Sequence, residues 1–166
     1  ITGKHSSDFT VTSLPLRNVS AGDNDTFVVT FNPNATGTRS AILSISNNDT
    51  DEDPHTFYIQ GTGTDPEIKV VGGANKVEIT NGHGVPGTAN GTNFGSFDID
   101  NVTATNTFTI LNTGNADLTL DGNPIVLITG KHSSDFTVTS LPLRNVSAGD
   151  NDTFVVTFNP NATGTR

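Results

Sequence analysis

An acidic segment at residues 49–54, with the sequence DTDEDP, carries the side chains best suited to binding a metal ion. Its four carboxylates are Asp49, Asp51, Glu52 and Asp53, and all of them fall within one predicted hairpin loop. Carboxylate and carbonyl oxygens on a bent loop are the ligands that Ca²⁺ prefers, although the spacing is not that of an EF-hand. Two interpretations stay open: a calcium site, or a solvated loop whose charges keep a sheet edge from pairing with other sheets.

Two further groups of acidic residues are weaker calcium candidates. The sequence GDND occurs at residues 22–25 and again at residues 149–152, while Asp65 and Glu67 flank a proline in a predicted linker. Carboxylates in such a linker would share an ion with a loop of an adjoining domain. The chain has no Cys, so thiolate metal sites are excluded, and calcium is the only cofactor that the sequence suggests.

Asparagine sequons are dense and form a second kind of candidate site. Asn-x-Ser/Thr is the acceptor pattern for N-glycosylation. Within one period the sequons begin at Asn18, Asn24, Asn34, Asn48, Asn90 and Asn101, and Asn145, Asn151 and Asn161 repeat three of them. A chain so rich in Asn and Thr forms many sequons by chance, so the pattern leaves glycosylation open. Asn34 and Asn48 lie in predicted turns and are the favoured acceptors.

The motifs that resemble catalytic sites lack the context that catalysis needs. Residues 82–87, GHGVPG, have the spacing of a dinucleotide-binding loop, but Pro86 and further glycines predict a loop rather than a helix start. Residues 131–136, KHSSDF, hold Ser, His and Asp side by side, whereas a triad needs them on separate elements. The four His residues do not have the spacing of a metal-binding pair. We therefore predict that the protein is not an enzyme.

The elements that position these residues are organised by a perfect internal repeat. Residues 1–39 recur letter for letter as residues 128–166, at an offset of 127 residues. A period of this length is that of a whole domain rather than of one turn of a solenoid. We expect the chain to be a window onto a longer array of near-identical modules.

A short linker sets the phase of the repeat. Residues 61–68, GTGTDPEI, combine two glycines with a proline and lack hydrophobic alternation before Glu67. With the boundary at Gly63, residues 1–63 are the C-terminal half of one repeat. Residues 64–166 are then the following repeat without its last hairpin, which corresponds to residues 40–63.

Alternating apolar residues predict short strands and no long helix. In residues 105–111, Phe108 and Ile110 share one face while Thr107 and Thr109 take the other. Further strands are predicted at residues 67–71, 76–80, 118–120 and 125–128, around Phe136 and Val138, around Phe154, Val156 and Phe158, and in a hairpin pairing residues 41–46 with 55–60. About seven to nine strands per repeat, separated by frequent turns, predict an all-β fold of Ig-like antiparallel β-sandwich modules in tandem.

Composition and charge limit the compartment and the partners. A net charge of -9 and a pI near 4.5 argue against nucleic acid, whose phosphates require clustered Lys and Arg. No apolar run approaches the roughly 20 residues that a membrane-spanning helix needs. A Cys-free, sequon-rich chain fits an extracellular protein.

Residues 29–63, VTFNPNATGTRSAILSISNNDTDEDPHTFYIQGTG, carry a family resemblance. They resemble the C-terminal half of the choice-of-anchor D repeat of bacterial surface proteins, which is similar to the ASH/MSP group of Ig-like domains. PEIKV, NFGSFDI and TFTILNTGNADLTL, within residues 66–120, resemble its N-terminal half, whereas residues 79–95 do not align. The resemblance implies secretion, tandem arrangement and the absence of catalysis.

These observations predict a structural module of a long extracellular tandem-repeat protein that forms a cell-surface stalk, filament or adhesin shaft. The alternative is an adhesion module that binds a glycan or protein, although only Tyr58 and no Trp is present to stack on a sugar. The expected partners are neighbouring copies of the repeat, in the same chain or by strand complementation between chains. In complementation, the hairpin of residues 40–63 of one molecule completes the second repeat of the next.

Overall fold

Strands dominate the computed structural model of this protein, which describes residues 1–99 and 103–166. Strands account for 37% of the structure and helix for 4%, and the described strand pairs are antiparallel. The fold is therefore all-β, as the alternating sequence predicted. The chain forms two compact units, Ile1–Thr64 and Asp65–Arg166, called unit 1 and unit 2 below.

Unit 1 consists of two antiparallel pairs of strands preceded by the short 3-10 helix Ser6–Asp8. Its strands are β1 (Phe9–Ser13), β2 (Val28–Phe31), β3 (Gly37–Ile45) and β4 (His55–Gly63). β1 pairs with β2 and β3 pairs with β4. The alternation of Val and Phe with Thr suits strands that are apolar on one face and polar on the other.

The two pairs of unit 1 pack through a small apolar core formed by Phe9, Ala41 and Leu43. Thr2 forms an isolated antiparallel bridge with Ile42, so the start of the unit is tied to β3. Gly61 of β4 lies against the Phe31 ring, because a Cβ built on Gly61 would stand 2.5 Å from that ring. Only glycine permits so close an approach.

Unit 2 consists of a five-stranded sheet in the order β6-β5-β7-β11-β9 and a separate two-stranded pair, β8 with β10. The strands are β5 (Ile68–Gly72), β6 (Val77–Glu78), β7 (Ala104–Asn112), β8 (Leu118–Thr119), β9 (Phe136–Ser140), β10 (Asn145–Val146) and β11 (Asn151–Phe158). A second 3-10 helix, Ser133–Asp135, precedes β9 as the first precedes β1. β11 lies inside the sheet and pairs with β7 on one side and β9 on the other.

The core of unit 2 is larger and more aromatic than that of unit 1. Its buried apolar side chains are Val71, Phe108, Ile110, Val146, Val156 and Phe158. The Phe158 ring stacks on Phe136 at 4.8 Å and is also contacted by Phe94 and Phe97 from the segment before β7. Residues far apart in the chain therefore cover the same strand.

Two details of the strand prediction need correction. Residues 125–128 form no strand, and the preceding residue Pro124 follows a cis peptide bond in an irregular segment. Thr109, expected on the polar face of β7, is only 8% exposed, because both faces of this interior strand are covered. The other predicted strands form, with ends shifted by up to a few residues.

Candidate functional sites

Asn47 closes the acidic loop between β3 and β4 through three hydrogen bonds. Its backbone N–H donates to Asp53 Oδ1 at 3.0 Å, its Nδ2 donates to the Glu52 carbonyl at 2.9 Å, and its Oδ1 accepts from the Asp49 N–H at 2.7 Å. Sequence reasoning missed this role of Asn47, although Asn is a frequent turn former because its side chain bonds nearby backbone.

The structure does not gather the carboxylates that were predicted to bind calcium. Across residues 1–99 and 103–166, no three His, Asp or Glu side chains lie close enough together to hold a metal ion. Asp49, Asp51, Glu52 and Asp53 stay exposed, and Glu52 Oε2 lies 3.5 Å from His55 Nδ1. The four carboxylates of residues 49–54 therefore do not form one cluster in this structure.

The GDND carboxylates cap a loop, and they do so in the same way in both copies. Asp25 accepts hydrogen bonds from the backbone N–H groups of Leu16 and Thr26. Asp152 accepts from Leu143 N at 2.6 Å and from Thr153 N at 2.7 Å. These N–H donors hold the pKa of both carboxyl groups below the ordinary value of 3.8, against a smaller opposing effect of burial.

The two acidic residues of the linker make no shared site either. The backbone N–H of Asp65 donates to Asn115 Oδ1 at 2.8 Å, and the N–H of Glu67 donates to Asn112 Oδ1 at 3.2 Å. The linker is therefore fixed to unit 2 through its backbone.

The sequon asparagines differ in their access to solvent. Asn90 is only 5% exposed, its Oδ1 accepts from Thr92 Oγ1 at 2.7 Å, and its Nδ2 lies 3.3 Å from His83 Nε2. A glycan on Asn90 would break these contacts. Asn34 is exposed, but its Oδ1 accepts from Arg39 Nη2 at 2.8 Å. Asn101 lies outside the described residues, and the remaining sequon asparagines are exposed: Asn18, Asn24, Asn48, Asn145, Asn151 and Asn161.

A buried ion pair anchors β3 to the first 3-10 helix of unit 1. The Asp8 side chain is buried, and its Oδ2 lies 2.5 Å from Arg39 Nε. The hydrogen bond from Arg39 holds the pKa of Asp8 below its ordinary value, although burial opposes this. His5 Nδ1 accepts the backbone N–H of Ser40 at 2.9 Å, so a second side chain holds the start of β3.

The equivalent pair in unit 2 is looser. Arg166 Nε lies 3.3 Å from Asp135 Oδ2, yet neither oxygen of the buried Asp135 carboxylate receives a hydrogen bond. Arg166 Nη1 instead lies 3.0 Å from His132 Nδ1, the atom whose counterpart in unit 1 accepts the N–H of Ser40. Arg39 belongs to a strand, whereas Arg166 lies in an irregular segment, so its guanidinium is not held in line.

Asn112 at the end of β7 is the most connected polar residue of unit 2. It is 1% exposed, and its Nδ2 donates to the carbonyls of Ala116 at 2.7 Å and Val146 at 3.0 Å. Its Oδ1 accepts from Glu67 N and Gly114 N. The amide thus uses its full capacity of two donors and two acceptors to join β5, β7 and β10. Sequence reasoning missed it, because a single Asn in an Asn-rich chain gives no distinguishing signal.

The outer edge of β2 is the largest difference between the two units. β11 pairs with β9 and β7, whereas β2, which has the same sequence as the last four residues of β11, pairs with β1 alone in the part of the chain that is described. Val19 of unit 1 is 54% exposed, while its counterpart Val146 is 3% exposed. An exposed edge of this kind is a template for another strand.

Comparison with known proteins adds no relative: no family model, no curated protein and no solved structure matches this chain. Within the described residues, no helix is long and apolar enough to cross a membrane.

Proposed function

We propose that this chain is a structural module of a long extracellular tandem-repeat protein, whose Ig-like β-sandwich units form a cell-surface stalk, filament or adhesin shaft. One observation carries the proposal. Within the 39 residues present at both ends of the chain, the pairs β1–β2 and β9–β11 have the same register, with Phe9 opposite Phe31 and Phe136 opposite Phe158. A segment that repeats both its sequence and its strand pairing is typical of tandem-repeat proteins, in which similar modules follow one another along the chain.

We infer the sandwich architecture of the complete repeat from the strands of the two units. Unit 2 has a five-stranded sheet and the β8–β10 pair, and unit 1 has the β3–β4 hairpin. The proposal assigns these strands to the two antiparallel sheets of one Ig-like module. The resemblance of residues 29–63 and 66–120 to the choice-of-anchor D repeat supports the same architecture and a surface location.

The partners in this proposal are neighbouring copies of the repeat within one chain. Successive modules are joined by the linker around Asp65, whose backbone is bonded to Asn115. The residues at the start of unit 2 are thus ordered, and the proposal takes the short linker before them to be stiff. In this proposal, a long and stiff array places its outer end far from the cell surface.

Small-angle X-ray scattering on arrays of one, two and three complete periods tests the shaft. Each array ends with a copy of residues 40–63, so that its last module is whole. We expect the maximum dimension to increase by a constant length per period, as in a rod. An increase that falls off with period number would contradict the proposal, because it describes flexible or collapsed beads. Saturable binding of one glycan or protein by a single period would favour an adhesion module instead.

A further inference from the structure

The loop of residues 79–95 in unit 2 contains both Asn-Gly dipeptides of the chain, at residues 81–82 and 90–91. Asparagine is a thermolabile residue type. The backbone nitrogen of the following residue attacks its side-chain amide carbon, and glycine hinders this attack least because it has no Cβ. Asn81 is exposed, whereas Asn90 is only 5% exposed. Two dipeptides with the same residues therefore lie in different surroundings within one loop.

The first dipeptide occupies an exposed turn that leaves its reacting atoms free. The backbone N–H of His83 donates to the Thr80 carbonyl at 3.0 Å, and Gly82 has a φ of 75°. Within residues 1–99 and 103–166, neither the Asn81 side chain nor the Gly82 N–H has a hydrogen-bond partner. A Cβ built on Gly82 would meet no atom beyond its chain neighbours within 4 Å. The space beside the attacking nitrogen is therefore open.

The second dipeptide is held by hydrogen bonds at the corresponding atoms. Asn90 Oδ1 accepts from the backbone N–H of Thr92 at 3.1 Å and from Thr92 Oγ1 at 2.7 Å. The Gly91 N–H donates to the Thr88 carbonyl at 3.2 Å. A Cβ built on Gly91 would stand 3.1 Å from the backbone nitrogen of Gly73, so this turn packs against the residue that follows β5. The amide group and the nitrogen that would have to meet are thus both engaged.

We propose that Asn81 is a site of spontaneous covalent modification, in which its amide becomes a carboxylate through a succinimide. The Gly82 nitrogen loses its proton to solvent and bonds to Asn81 Cγ, and the Cγ–Nδ2 bond breaks to release ammonia. Water then opens the five-membered ring. Hydrolysis at the side-chain carbonyl gives a normal aspartate at position 81, and hydrolysis at the backbone carbonyl gives an isoaspartyl link. One water is consumed for each ammonia released, and no oxidant or reductant is needed.

Both products change this part of unit 2. Each adds a negative charge to a chain whose net charge is already -9. The isoaspartyl link also adds one backbone carbon to the turn that the His83 N–H closes, and His83 Nε2 lies 3.3 Å from Nδ2 of the buried Asn90. The exposed turn is thus linked to the buried turn through His83. This chemistry concerns a single unit and does not depend on the proposed shaft.

Incubation of the full chain at pH 8, followed by tandem mass spectrometry, measures the conversion at each asparagine. In the folded chain we expect Asn81 to convert at least about tenfold faster than Asn90, because Asn90 reacts only after its hydrogen bonds open. In concentrated guanidinium chloride we expect the two rates to agree within about twofold, since each asparagine is followed by glycine. Equal rates in the folded chain, or no conversion at Asn81, would overturn the proposal.

Two alanine variants in the same loop test the succinimide route. Gly82→Ala places a Cβ beside the attacking nitrogen, whereas Gly84→Ala adds the same group where the nearest atom is the Gly82 carbonyl oxygen at 3.9 Å. We expect Gly82→Ala to slow conversion at Asn81 about tenfold and Gly84→Ala to leave it unchanged. Both rates are also measured in guanidinium chloride, so that the comparison does not depend on how the variants fold. Equal effects of the two variants would contradict the route.

The protection of Asn90 is tested with a second matched pair. Thr92→Val keeps the shape of the side chain but removes the hydroxyl that donates to Asn90 Oδ1. Thr88→Val is the control, because the exposed Thr88 hydroxyl makes no hydrogen bond within the described part of the chain. We expect Thr92→Val to speed conversion at Asn90 about fivefold and Thr88→Val to leave it unchanged. An unchanged rate at Asn90 in Thr92→Val, or equal effects of both variants, would show that these hydrogen bonds do not select Asn81 over Asn90 and would overturn the proposal.

Discussion

In residues 1–39 the strand β2 spans four residues, whereas the same letters in residues 128–166 form the eight-residue strand β11. The stretch around Val19 has no regular structure, while its counterpart Asn145–Val146 is a strand paired with β8. Local propensity is identical in the two copies. The difference arises from β7 and β8, which supply the partner strands in unit 2.

Other side chains of the repeated run are better buried or bonded in unit 1 than in unit 2. Phe9 is 7% exposed in unit 1, whereas its counterpart Phe136 is only half-buried in unit 2. The Asp8 carboxylate is bonded by Arg39, while the Asp135 carboxylate has no donor. Within the described residues, the two copies of the repeated run are thus covered on different sides.

The largest effect that we predict separates the two copies at one valine. Val146→Lys buries an unpaired charge in unit 2 and should destabilise that unit by about 3–5 kcal/mol. Val19→Lys places the same charge in solvent and should change the stability of unit 1 by no more than about 0.5 kcal/mol. Amide hydrogen exchange measured for each unit in the full chain reports both values. Equal losses of protection at the two positions would show that the copies do not differ in this way.

A somewhat smaller effect is expected at Asn112, which makes unit 2 unlike unit 1. Asn112→Ala removes four hydrogen bonds and leaves buried partners unsatisfied, so we expect a loss of about 3 kcal/mol in unit 2. The amides of Asn145–Val146 should lose protection first, because Asn112 Nδ2 bonds the Val146 carbonyl. Asn159→Ala, at an exposed position of unit 2, serves as a control. If protection of the β8–β10 pair survived Asn112→Ala, the role assigned to this residue would be wrong.

The two arginines test the other half of the comparison. Arg39→Ala leaves the buried Asp8 without its ion-pair partner, so we expect it to lower the melting temperature of unit 1. Arg166→Ala removes a pair that already lacks hydrogen bonds and should lower that of unit 2 less. Scanning calorimetry of both variants beside the unmodified chain measures the difference. A larger effect of Arg166→Ala would reverse the ranking of the two ion pairs.

The smallest effect concerns a feature that the copies share. The pKa values of Asp25 and Asp152 are lowered by backbone N–H donors, so each carboxylate stabilises its unit above the unfolded pKa near 3.8. That stabilisation is lost as the pH falls through the lower folded pKa. Asp25→Asn and Asp152→Asn should therefore each reduce the loss of melting temperature between pH 7 and pH 3, and to the same extent.

Asp51→Asn, in the exposed loop of unit 1, removes the same charge without removing a loop cap and serves as the control. Unequal behaviour of Asp25→Asn and Asp152→Asn would show that even this local contact depends on the surrounding unit.

Much of the fold was predictable because it depends on local patterns. Alternation around Phe108 predicted β7, and the Phe and Val rows predicted β9 and β11. Residues 125–128 were wrongly predicted as a strand. Their apolar residues are compatible with a strand. The adjacent Thr129 is the counterpart of Thr2, which pairs with Ile42 of β3 in unit 1, and the described residues of unit 2 contain no equivalent of β3. An alternating apolar pattern shows that a segment is compatible with a strand, but it does not show whether a partner strand lies beside it.

The candidate sites were less predictable than the strands. The acidic letters of residues 49–54 suggested calcium ligands, but which oxygens converge depends on backbone geometry, and Asn47 turns the loop so that it closes on itself. Asn90 and Asn48 carry the same sequon pattern, yet Asn90 is buried and Asn48 is exposed. A three-residue motif contains no information about burial.

The sequence alone determined that residues 1–39 recur as residues 128–166 at an offset of 127 residues and that the main elements are strands. Only the tertiary structure decided how much of that run becomes strand, which of its valines are buried, and whether its aspartate is bonded. The physical reason is that a strand needs hydrogen-bonded partner strands from elsewhere in the chain. Identical sequences therefore adopt different structures when different partner strands lie beside them.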